Sequence, residues 1–296
     1  MHRLRKKNQL IRLGDQLLFT GPAIFCFLAV IILPFLYGVY LTFFKWDGIA
    51  SIMPFVGFKN YIGAIGDSQF WSSIWLTIKY VFAMVVLVNI TAFFLAYFVT
   101  SGVKGQNVFR TSFFAPNLIS GIALGFIWQF LFNRFFITIG QEWGIELLSK
   151  TWLGDENKAF MALVLVSSWQ YIGYMMVIFV AGFINIPKDI LEAAEIDGAN
   201  SREKLRYIIL PYMVPSYVIT TFLSLQRGFM VYDLNYSLTD GGPFGSTILA
   251  SMYVYNKAFV RFDYGLGQAE AFVLFFIVAG ITILHVSLSK RMEIEA

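Results

Sequence analysis

The chain has 296 residues, of which 58% are hydrophobic and only 14% are charged. Soluble globular domains carry about 25% charged residues, so this composition argues against a protein whose main solvent is water. The formal net charge of +4 does not indicate a nucleic-acid partner, because Lys and Arg in membrane proteins collect in cytoplasmic loops.

The first apolar segment follows a basic amino terminus with five Lys or Arg residues in positions 1–15. Its uncharged run, residues 16–44, exceeds the about 7 to 15 residues of a signal-peptide core and reaches the about 20 that cross a bilayer. We therefore expect it to remain in the membrane as the first helix. It contains the only cysteine, Cys26, which excludes an intrachain disulfide and a metal cluster built on thiolates.

Uncharged segments of membrane-spanning length occur six times in the sequence, and each is predicted to be helical because an open strand could not satisfy its backbone hydrogen bonds in lipid. The predicted spans are residues 16–44, 80–103, 111–133, 159–187, 207–226 and 271–289. Residues 68–79 are predicted to form a short interfacial lead into the second span. Kinks are expected at Pro34, Pro116 and Pro215. The sequence thus predicts an all-α polytopic membrane protein with a single transmembrane domain over residues 1–296.

The distribution of Lys and Arg predicts the orientation of these spans. With the amino terminus inside, 13 of the 22 Lys and Arg residues fall on the cytoplasmic side, in the two tails and in the loops after the second and fourth spans. The opposite side has longer loops but only nine. The positive-inside rule therefore predicts that both termini are cytoplasmic.

The cytoplasmic loop between the fourth and fifth spans, residues 188–206, has the pattern of two short helices. Glu192 lies near the amino-terminal end of the first helix, where a negative charge is favourable, and Gly198 provides a stop. Asn200 can cap the second helix while Glu203, three residues later, reaches back as the second half of a capping box. We therefore expect a helix, a turn and a helix on the cytoplasmic face.

Such a loop is usually no more than a solvated connection between spans. Here the spacing is more specific: the pattern E-A-A, three residues, G, nine residues and I-x-L-P extends over residues 192–211. It resembles the signature loop of ABC importer permeases, which in that family docks into a cleft of the ATPase subunit. The ATPase-docking residues that this resemblance implies are Glu192, Ala193, Ala194, Asp197 and Gly198. Glu192 is expected to make a charge contact, the two alanines to permit close packing and Gly198 to form the turn.

A second motif lies in residues 238–247, with the sequence L-T-D-G-G-P-F-G-S-T. Alone, Gly-Gly-Pro with neighbouring Ser and Thr indicates only a turn. Its position after the docking loop, followed by Gly265-x-Gly267-x-Ala269, resembles the carbohydrate branch of the family, the maltose-type permeases. The resemblance implies a permease for a saccharide or oligosaccharide that works by alternating access.

The sequence has no G-x-x-x-x-G-K-[ST] phosphate loop, so the chain itself is not predicted to hydrolyse ATP, to be an enzyme or to hold a cofactor. The resemblance implies that ATP and Mg are bound by two copies of a partner ABC ATPase. It also implies a second homologous permease subunit and an extracytoplasmic solute-binding protein. The expected location is the cytoplasmic (inner) membrane of a bacterium or archaeon, as a multi-pass protein in contact with lipid.

Matching by position to maltose-type permeases implies a substrate cavity on the fourth and fifth spans. Polar groups there would hydrogen-bond sugar hydroxyls, and aromatic rings would stack on the apolar faces of a sugar. The implied substrate-binding residues are Gln170, Tyr171, Tyr174, Ser224, Arg227, Gly228 and Val231. Alternatives stay open, because a tyrosine near the end of a span is often an interfacial belt residue, and Gly228 and Val231 have no side-chain hydrogen-bonding group. Gly121 and Gly125 are expected to pack helices, and no metal site is expected.

Arg227 departs from a purely neutral sugar site. A guanidinium pairs with a carboxylate through two parallel hydrogen bonds, so a uronate-containing or otherwise acidic saccharide would satisfy it, with Tyr171 and Tyr174 stacking against the ring. The alternative is that Asp233 neutralises Arg227 outside the cavity and that the substrate is neutral.

An ion-gradient-driven secondary transporter for a small polar solute is the main alternative function. Such proteins normally have internal repeats and ionisable residues in mid-membrane, and neither is evident in the sequence. A membrane-embedded enzyme is less well supported, because no cluster of His, Cys or carboxylate residues lies within the predicted spans.

Overall fold

The computed structural model describes residues 18–289. Within this range the secondary structure is helical apart from turns and one isolated bridge between Phe44 and Phe55, which confirms the predicted all-α fold. The basic residues before position 18 and the carboxyl-terminal residues 290–296, on which part of the orientation argument depends, lie outside the described residues.

The helices follow one another along the chain as α1 (Leu18–Leu41), α2 (Lys59–Gly66), α3 (Ser68–Thr100), α4 (Gln106–Phe114), α5 (Gly121–Glu142), α6 (Glu156–Ile184), α7 (Lys188–Ile196), α8 (Ser201–Tyr212), α9 (Val214–Phe229), α10 (Asp233–Thr239), α11 (Ala250–Tyr255) and α12 (Tyr264–Ser289). They belong to two compact units, each assembled from separate parts of the chain. The first unit contains residues 18–67 and 255–272, and the second contains residues 68–254 and 273–289. The single transmembrane domain stays a prediction.

Five of the described helices, α1, α3, α5, α6 and α12, are long and apolar enough to cross a membrane. The consecutive helices α8 and α9 make a sixth span if they are counted together, although their axes differ by 63°. The number and order of the spans agree with the sequence prediction. The bend lies at Met213, two residues before Pro215, so the kink expected there is confirmed.

Residues 68–79 and the second predicted span form one continuous helix, α3, which begins at Ser68. The interfacial position of residues 68–79 stays a prediction. The side chains of Phe70, Ile74 and Thr77 are buried along one face of this segment. Because these positions are three or four residues apart, they lie on the same side of a helix and continue the packed surface of the span.

The third predicted span, residues 111–133, is interrupted rather than merely kinked. A 3₁₀ turn over Ala115–Leu118 contains Pro116, and Ile119 is extended, with ψ of 131°. The helix restarts at Gly121 and continues to Glu142. Ala115, the residue before Pro116, is still helical, so the break comes after the proline rather than before it. Pro116 supplies no N–H, which suits its place in the first turn of the 3₁₀ segment.

Two other prolines follow a widened turn. A proline ring clashes with the carbonyl group four residues earlier in a regular helix. In α1 a π turn over Leu28–Ile32 precedes Pro34, and in α8 a π turn over Leu205–Ile209 precedes Pro211. In both helices the π turn contains the carbonyl concerned, so the helix accommodates the proline instead of ending before it.

The core of the second unit is built around α6. In an apolar stretch of 18 residues within α6, 61% of the residues are buried. The corresponding share in α12 is 6%. Lipid tails are as apolar as these side chains, so helices in a membrane associate through close packing rather than through removal from water. A side chain at Gly173 would collide with the Phe113 carbonyl, and one at Gly125 with Ser237. The expected packing role of Gly121 and Gly125 is confirmed, since both lie against α10.

Candidate functional site

The docking loop, residues 188–206, has a turn that is closed by local hydrogen bonds. Gly198 has a φ of +80°, and its N–H donates to the Glu195 carbonyl at 3.1 Å. The Ala199 N–H donates to the Ala194 carbonyl at 2.9 Å. These two bonds form a Schellman motif, in which glycine adopts the left-handed conformation without steric cost. The predicted stop at Gly198 is confirmed.

The second helix of the loop begins with the expected capping box. Asn200 Oδ1 accepts from the backbone N–H groups of Arg202 and Glu203, both at 3.0 Å, and Glu203 Oε2 accepts from the Asn200 N–H at 2.8 Å. Lys204 Nζ lies 2.7 Å from Glu195 Oε1 and joins the second helix to the first. The hydrogen bond from the Lys204 ammonium, together with its charge, lowers the pKa of the Glu195 carboxyl below its ordinary value of 4.5.

The candidate docking residues lie on the solvent side of the loop. Four of them are exposed: Glu192, Ala193, Asp197 and Gly198. The fifth, Ala194, is partly buried. Leu191 packs on the opposite side against an apolar cluster of the second unit, which anchors α7. The Ile196 side chain is 87% exposed and lies beside the candidates. The sequence analysis did not single out Ile196, although an apolar residue at the end of a short charged helix was an available signal.

A cavity of about 270 Å³ lies in the second unit. Four of the seven predicted substrate-binding residues line it: Gln170 and Tyr171 from α6, Arg227 from α9, and Val231 from the segment that follows α9. Ligand pockets generally have volumes of about 300–1,000 Å³, so this cavity is closer to a single sugar ring than to an extended oligosaccharide.

Arg227 is held in the cavity by aromatic faces and an amide. Its guanidinium carbon lies 4.9 Å from the ring centroid of Tyr171 and 5.0 Å from that of Tyr174. Its Nη1 donates to Asn117 Oδ1 at 3.3 Å. Within residues 18–289 Arg227 forms no ion pair, so Asp233 does not neutralise it directly. Tyr174 contacts Arg227 but does not itself line the cavity, so its role in substrate binding stays a prediction.

The last two predicted substrate-binding residues lie away from the cavity. Ser224 is fully buried, and its Oγ has no hydrogen-bond partner among the described residues. A Cβ at Gly228 would lie 2.8 Å from the Met84 side chain and 3.0 Å from that of Val81. Gly228 thus permits α9 to approach α3 closely, which is a packing function. A role of Ser224 or Gly228 in substrate binding stays a prediction.

The remaining wall residues were not predicted to line the cavity: Gly121, Met230, Tyr232, Asp233 and Leu234. Most of them lie in the short turn between α9 and α10. The length of uncharged segments, which predicted the spans, gives no position for such a turn. The turn is fixed by the Ser251 hydroxyl, which donates to the Val231 carbonyl.

Gln170 joins α6 to the break between α4 and α5. Its Nε2 donates to the Ile119 carbonyl at 3.0 Å, a group that has no helical partner because the chain is extended there. Its Oε1 is buried and accepts no hydrogen bond within the described part of the chain. Gln170 therefore holds the cavity wall in place and retains an acceptor for a further donor.

The Gly-Gly-Pro motif forms a compact loop after α10, as the sequence predicted, and does not line the cavity. Asn235 Nδ2 donates to the Thr247 carbonyl at 2.9 Å and to Thr239 Oγ1 at 3.0 Å. These bonds tie the end of α10 to the far side of the loop. In residues 18–289, no group of three or more His, Cys, Asp or Glu side chains could hold a metal ion.

Residues 88–294 match the family described as binding-protein-dependent transport system inner membrane component. The probable starch degradation products transport system permease protein AmyD of Thermoanaerobacterium thermosulfurigenes is 39% identical over 278 residues, which cover 94% of each chain. The multiple sugar-binding transport system permease protein MsmF of Streptococcus mutans is 33% identical over 261 residues, which cover 88% of this chain and 90% of that protein.

Solved structures show the same fold. A bacterial ABC transporter involved in the import of the acidic polysaccharide alginate has a chain that matches with a TM-score of 0.81 and 18% identity, over 98% of this chain and 99% of that chain. The alginate transporter in complex with an alginate pentasaccharide-bound periplasmic protein matches with a TM-score of 0.80 and 17% identity, over 98% of both chains. The family match covers well over half of the sequence. The chain therefore belongs to the family of inner membrane components of binding-protein-dependent transport systems.

Proposed function

We propose that the chain is the permease subunit of an ABC importer and forms the translocation path for a saccharide or oligosaccharide. The relatives named for starch degradation products and for multiple sugars support this substrate class. The observation that carries the proposal is the cavity, in which the faces of aromatic rings lie beside hydrogen-bonding groups. A sugar needs this combination, because it has apolar ring faces and a rim of hydroxyls.

The subunit works with partners in this proposal. They are a second homologous permease, two copies of an ABC ATPase that bind ATP and Mg, and an extracytoplasmic solute-binding protein. The family's dependence on a binding protein supports the last of these, as does the periplasmic protein in the complex of the structural neighbour. The permease itself contributes no ATPase site and no cofactor, so ATP hydrolysis by the partner supplies the energy.

The docking loop carries movement of the ATPase to the cavity. The proposed contacts with the ATPase are Glu192, Ala193, Ala194, Asp197 and Gly198. The loop continues directly into α8 and, after the bend at Met213, into α9, which carries Arg227. A rigid-body movement of the loop therefore reaches the cavity along one chain segment, as alternating access requires.

In the proposed topology both termini are cytoplasmic. Single cysteines in a Cys26→Ser background test it with a membrane-impermeant thiol reagent. Cysteines at Lys104 and Ser201 should react only from inside, and those at Gly154 and Gly245 from outside. Labelling at Ser201 in intact cells would reverse the topology.

The experiment that tests the function is ATP-dependent uptake of maltooligosaccharides by the complex reconstituted with its partners. Glu192→Lys should lower uptake and substrate-stimulated ATP hydrolysis at least about tenfold, because it reverses a charge at the ATPase contact. Glu156→Lys is the matched control, since Glu156 is exposed at the start of α6 and outside the loop. Gly198→Pro should act like Glu192→Lys, because proline fixes φ near −65° where Gly198 has +80°.

Two outcomes would contradict the proposal. Uptake that needs an ion gradient but neither ATP nor partners would favour a secondary transporter. Normal uptake by both loop variants would reduce residues 188–206 to a solvated connection.

A further inference from the structure

The cavity wall contains one cation and one carboxylate, and they are in different situations. Arg227 is engaged by the rings of Tyr171 and Tyr174 and by the Asn117 amide. Asp233 is exposed, and within residues 18–289 its carboxylate accepts no hydrogen bond and forms no ion pair. Neutral protein groups therefore stabilise the charge of Arg227. The Asp233 carboxylate has no such partner among the described residues.

The position of Asp233 in the wall is fixed by packing. A Cβ at Gly121 would lie 3.0 Å from the Asp233 Cβ and 3.3 Å from the Leu234 nitrogen, so α5 leaves α10 no room to move closer. The Ser237 hydroxyl lies 2.8 Å from the Asp233 carbonyl and 3.2 Å from the Gly121 carbonyl, which ties the same two segments together. The carboxylate is therefore held at the cavity by the backbone around it.

From this geometry, and resting on the proposed function, we infer that Asp233 is a specificity-determining residue that selects neutral saccharides over uronate-bearing ones. A neutral sugar has hydroxyl groups that can donate to Asp233 and accept from the N–H groups of Arg227 that are not used by Asn117. A guanidinium has five N–H donors, so its edge remains available while its faces contact the tyrosines. The cavity is thus matched to a rim of hydroxyls rather than to an anion.

An acidic saccharide would be attracted by Arg227 and repelled by Asp233. Its carboxylate could pair with Arg227, but Asp233 in the same small cavity would repel it. Like charges placed together at a binding site are unfavourable. Asp233 is exposed, so solvent screens this repulsion and leaves a moderate preference rather than an absolute one. The chain that shares this fold in the alginate transporter is only 18% identical, so it does not decide between the two substrates.

The test measures equilibrium binding of a labelled neutral trisaccharide, and of the same trisaccharide with a terminal uronate, to the purified permease–ATPase complex. The solute-binding protein is omitted, because its own selectivity would mask that of the cavity. The wild-type complex should bind the neutral sugar more tightly. Asp233→Asn should raise the affinity for the uronate relative to the neutral sugar on the order of tenfold. Asp233→Glu, which keeps the charge, should preserve the wild-type preference.

The matched control is Asp240→Asn, which makes the same change in the loop after α10, away from the cavity. Asp240 has a φ of +47°, a conformation that Asn tolerates, so this variant should fold and bind like the wild type. A wild-type preference for the uronate, or an unchanged ratio in Asp233→Asn, would overturn the inference. If neither sugar binds to any form of the complex, the inference about Asp233 is overturned, whereas the saccharide function is judged separately by ATP-dependent uptake with the solute-binding protein present.

Discussion

Arg227 in the second unit and Lys257 in the first are both cations within the protein, but their charges are satisfied in opposite ways. Lys257 Nζ lies 2.8 Å from Asp67 Oδ2 and 3.7 Å from Glu270 Oε1, and these side chains are 10%, 17% and 0% exposed. Arg227 has two tyrosine faces and an amide instead, and no ion pair in the described chain.

The difference shows what each cation is available for. A lysine between carboxylates is a structural tie, because any substrate group would have to displace an anion that is already buried. An arginine on aromatic faces keeps its edge donors for a ligand, and its charge is not cancelled by a neighbour. The first arrangement stabilises the fold, whereas the second suits a binding site.

Removal of the structural tie should have the largest effect. Lys257→Met removes the ammonium beside Asp67 and the fully buried Glu270, which should cost about 3–5 kcal/mol of unfolding free energy. The measurement is thermal unfolding of the purified protein in detergent. Lys59→Met, at an exposed lysine of α2, is the control and should unfold like the wild type. A wild-type unfolding temperature for Lys257→Met would mean that the buried pair contributes nothing.

The two carboxylates around Lys257 should differ from each other. Asp67→Asn removes the anion at 2.8 Å and should cost about 1.5–3 kcal/mol, the usual range for a hydrogen bond to a charged group. Glu270→Gln should cost less than about 1 kcal/mol, because both Glu270 oxygens lack a hydrogen-bond partner in the described chain and one positive charge remains paired with Asp67. The same thermal assay compares them, and the reverse order would contradict the assignment.

Arg227→Gln should be milder for stability than Lys257→Met. It removes the contacts with two rings but leaves no buried anion behind, so the expected cost is about 1–2 kcal/mol. Arg134→Gln, at an exposed arginine of α5, is the control. If Arg227→Gln destabilised the protein as much as Lys257→Met, an anion that pairs with Arg227 would have to exist, and the contrast between the two cations would disappear.

Variants of Tyr174 can measure how much an aromatic ring face stabilises the Arg227 guanidinium. Tyr174→Phe keeps the ring face over Arg227 and should change the unfolding free energy by less than about 0.5 kcal/mol. Tyr174→Leu keeps an apolar side chain but loses the ring, and should cost about 0.5–1 kcal/mol more than the Phe variant. Equal unfolding temperatures for the two variants would show that packing, not the ring face, stabilises the guanidinium.

The exposed ion pair of the docking loop extends the comparison to solvent and should have the smallest effect. Because Lys204 lowers the pKa of Glu195 below 4.5, the pair stabilises the folded loop above pH 4.5. This contribution is lost as the pH falls through the lowered pKa. Lys204→Met should return the pKa toward 4.5, measured by NMR titration of the labelled Glu195 carboxyl, with little change in unfolding temperature. An unchanged pKa would contradict the contact.

Local chemistry was the part of the structure that the sequence could predict. Uncharged length located the six spans, and the order of Gly198, Asn200 and Glu203 located the turn and the capping box, because each depends on residues close together in the chain. The continuity of α3 through Lys79 was not predicted, because a charged residue interrupts the uncharged run there. The Lys79 Nζ lies 5.6 Å from the ring centroid of Trp75, and one lysine beside an aromatic ring does not end a helix.

The cavity could be predicted only in part, for a physical reason. Gln170, Tyr171 and Arg227 were found because they lie within long helices that a resemblance can align. Asp233 was missed as a wall residue because its place depends on the short turn after α9 and on contact with Gly121, more than 100 residues earlier. A contact between residues so far apart in the chain produces no periodic pattern in a single sequence, so it could not be predicted from one.

The docking loop has a further consequence, which follows from how its shape is specified. The bonds at Gly198, the box at Asn200 and the pair between Glu195 and Lys204 all join residues of the loop to one another. Besides the helical continuation into α8, apolar anchors such as Leu191 connect it to the rest of the second unit. A segment whose shape is determined by its own residues is portable. Exchange of residues 188–206 between related permeases should transfer the choice of ATPase without altering the sugar that is carried.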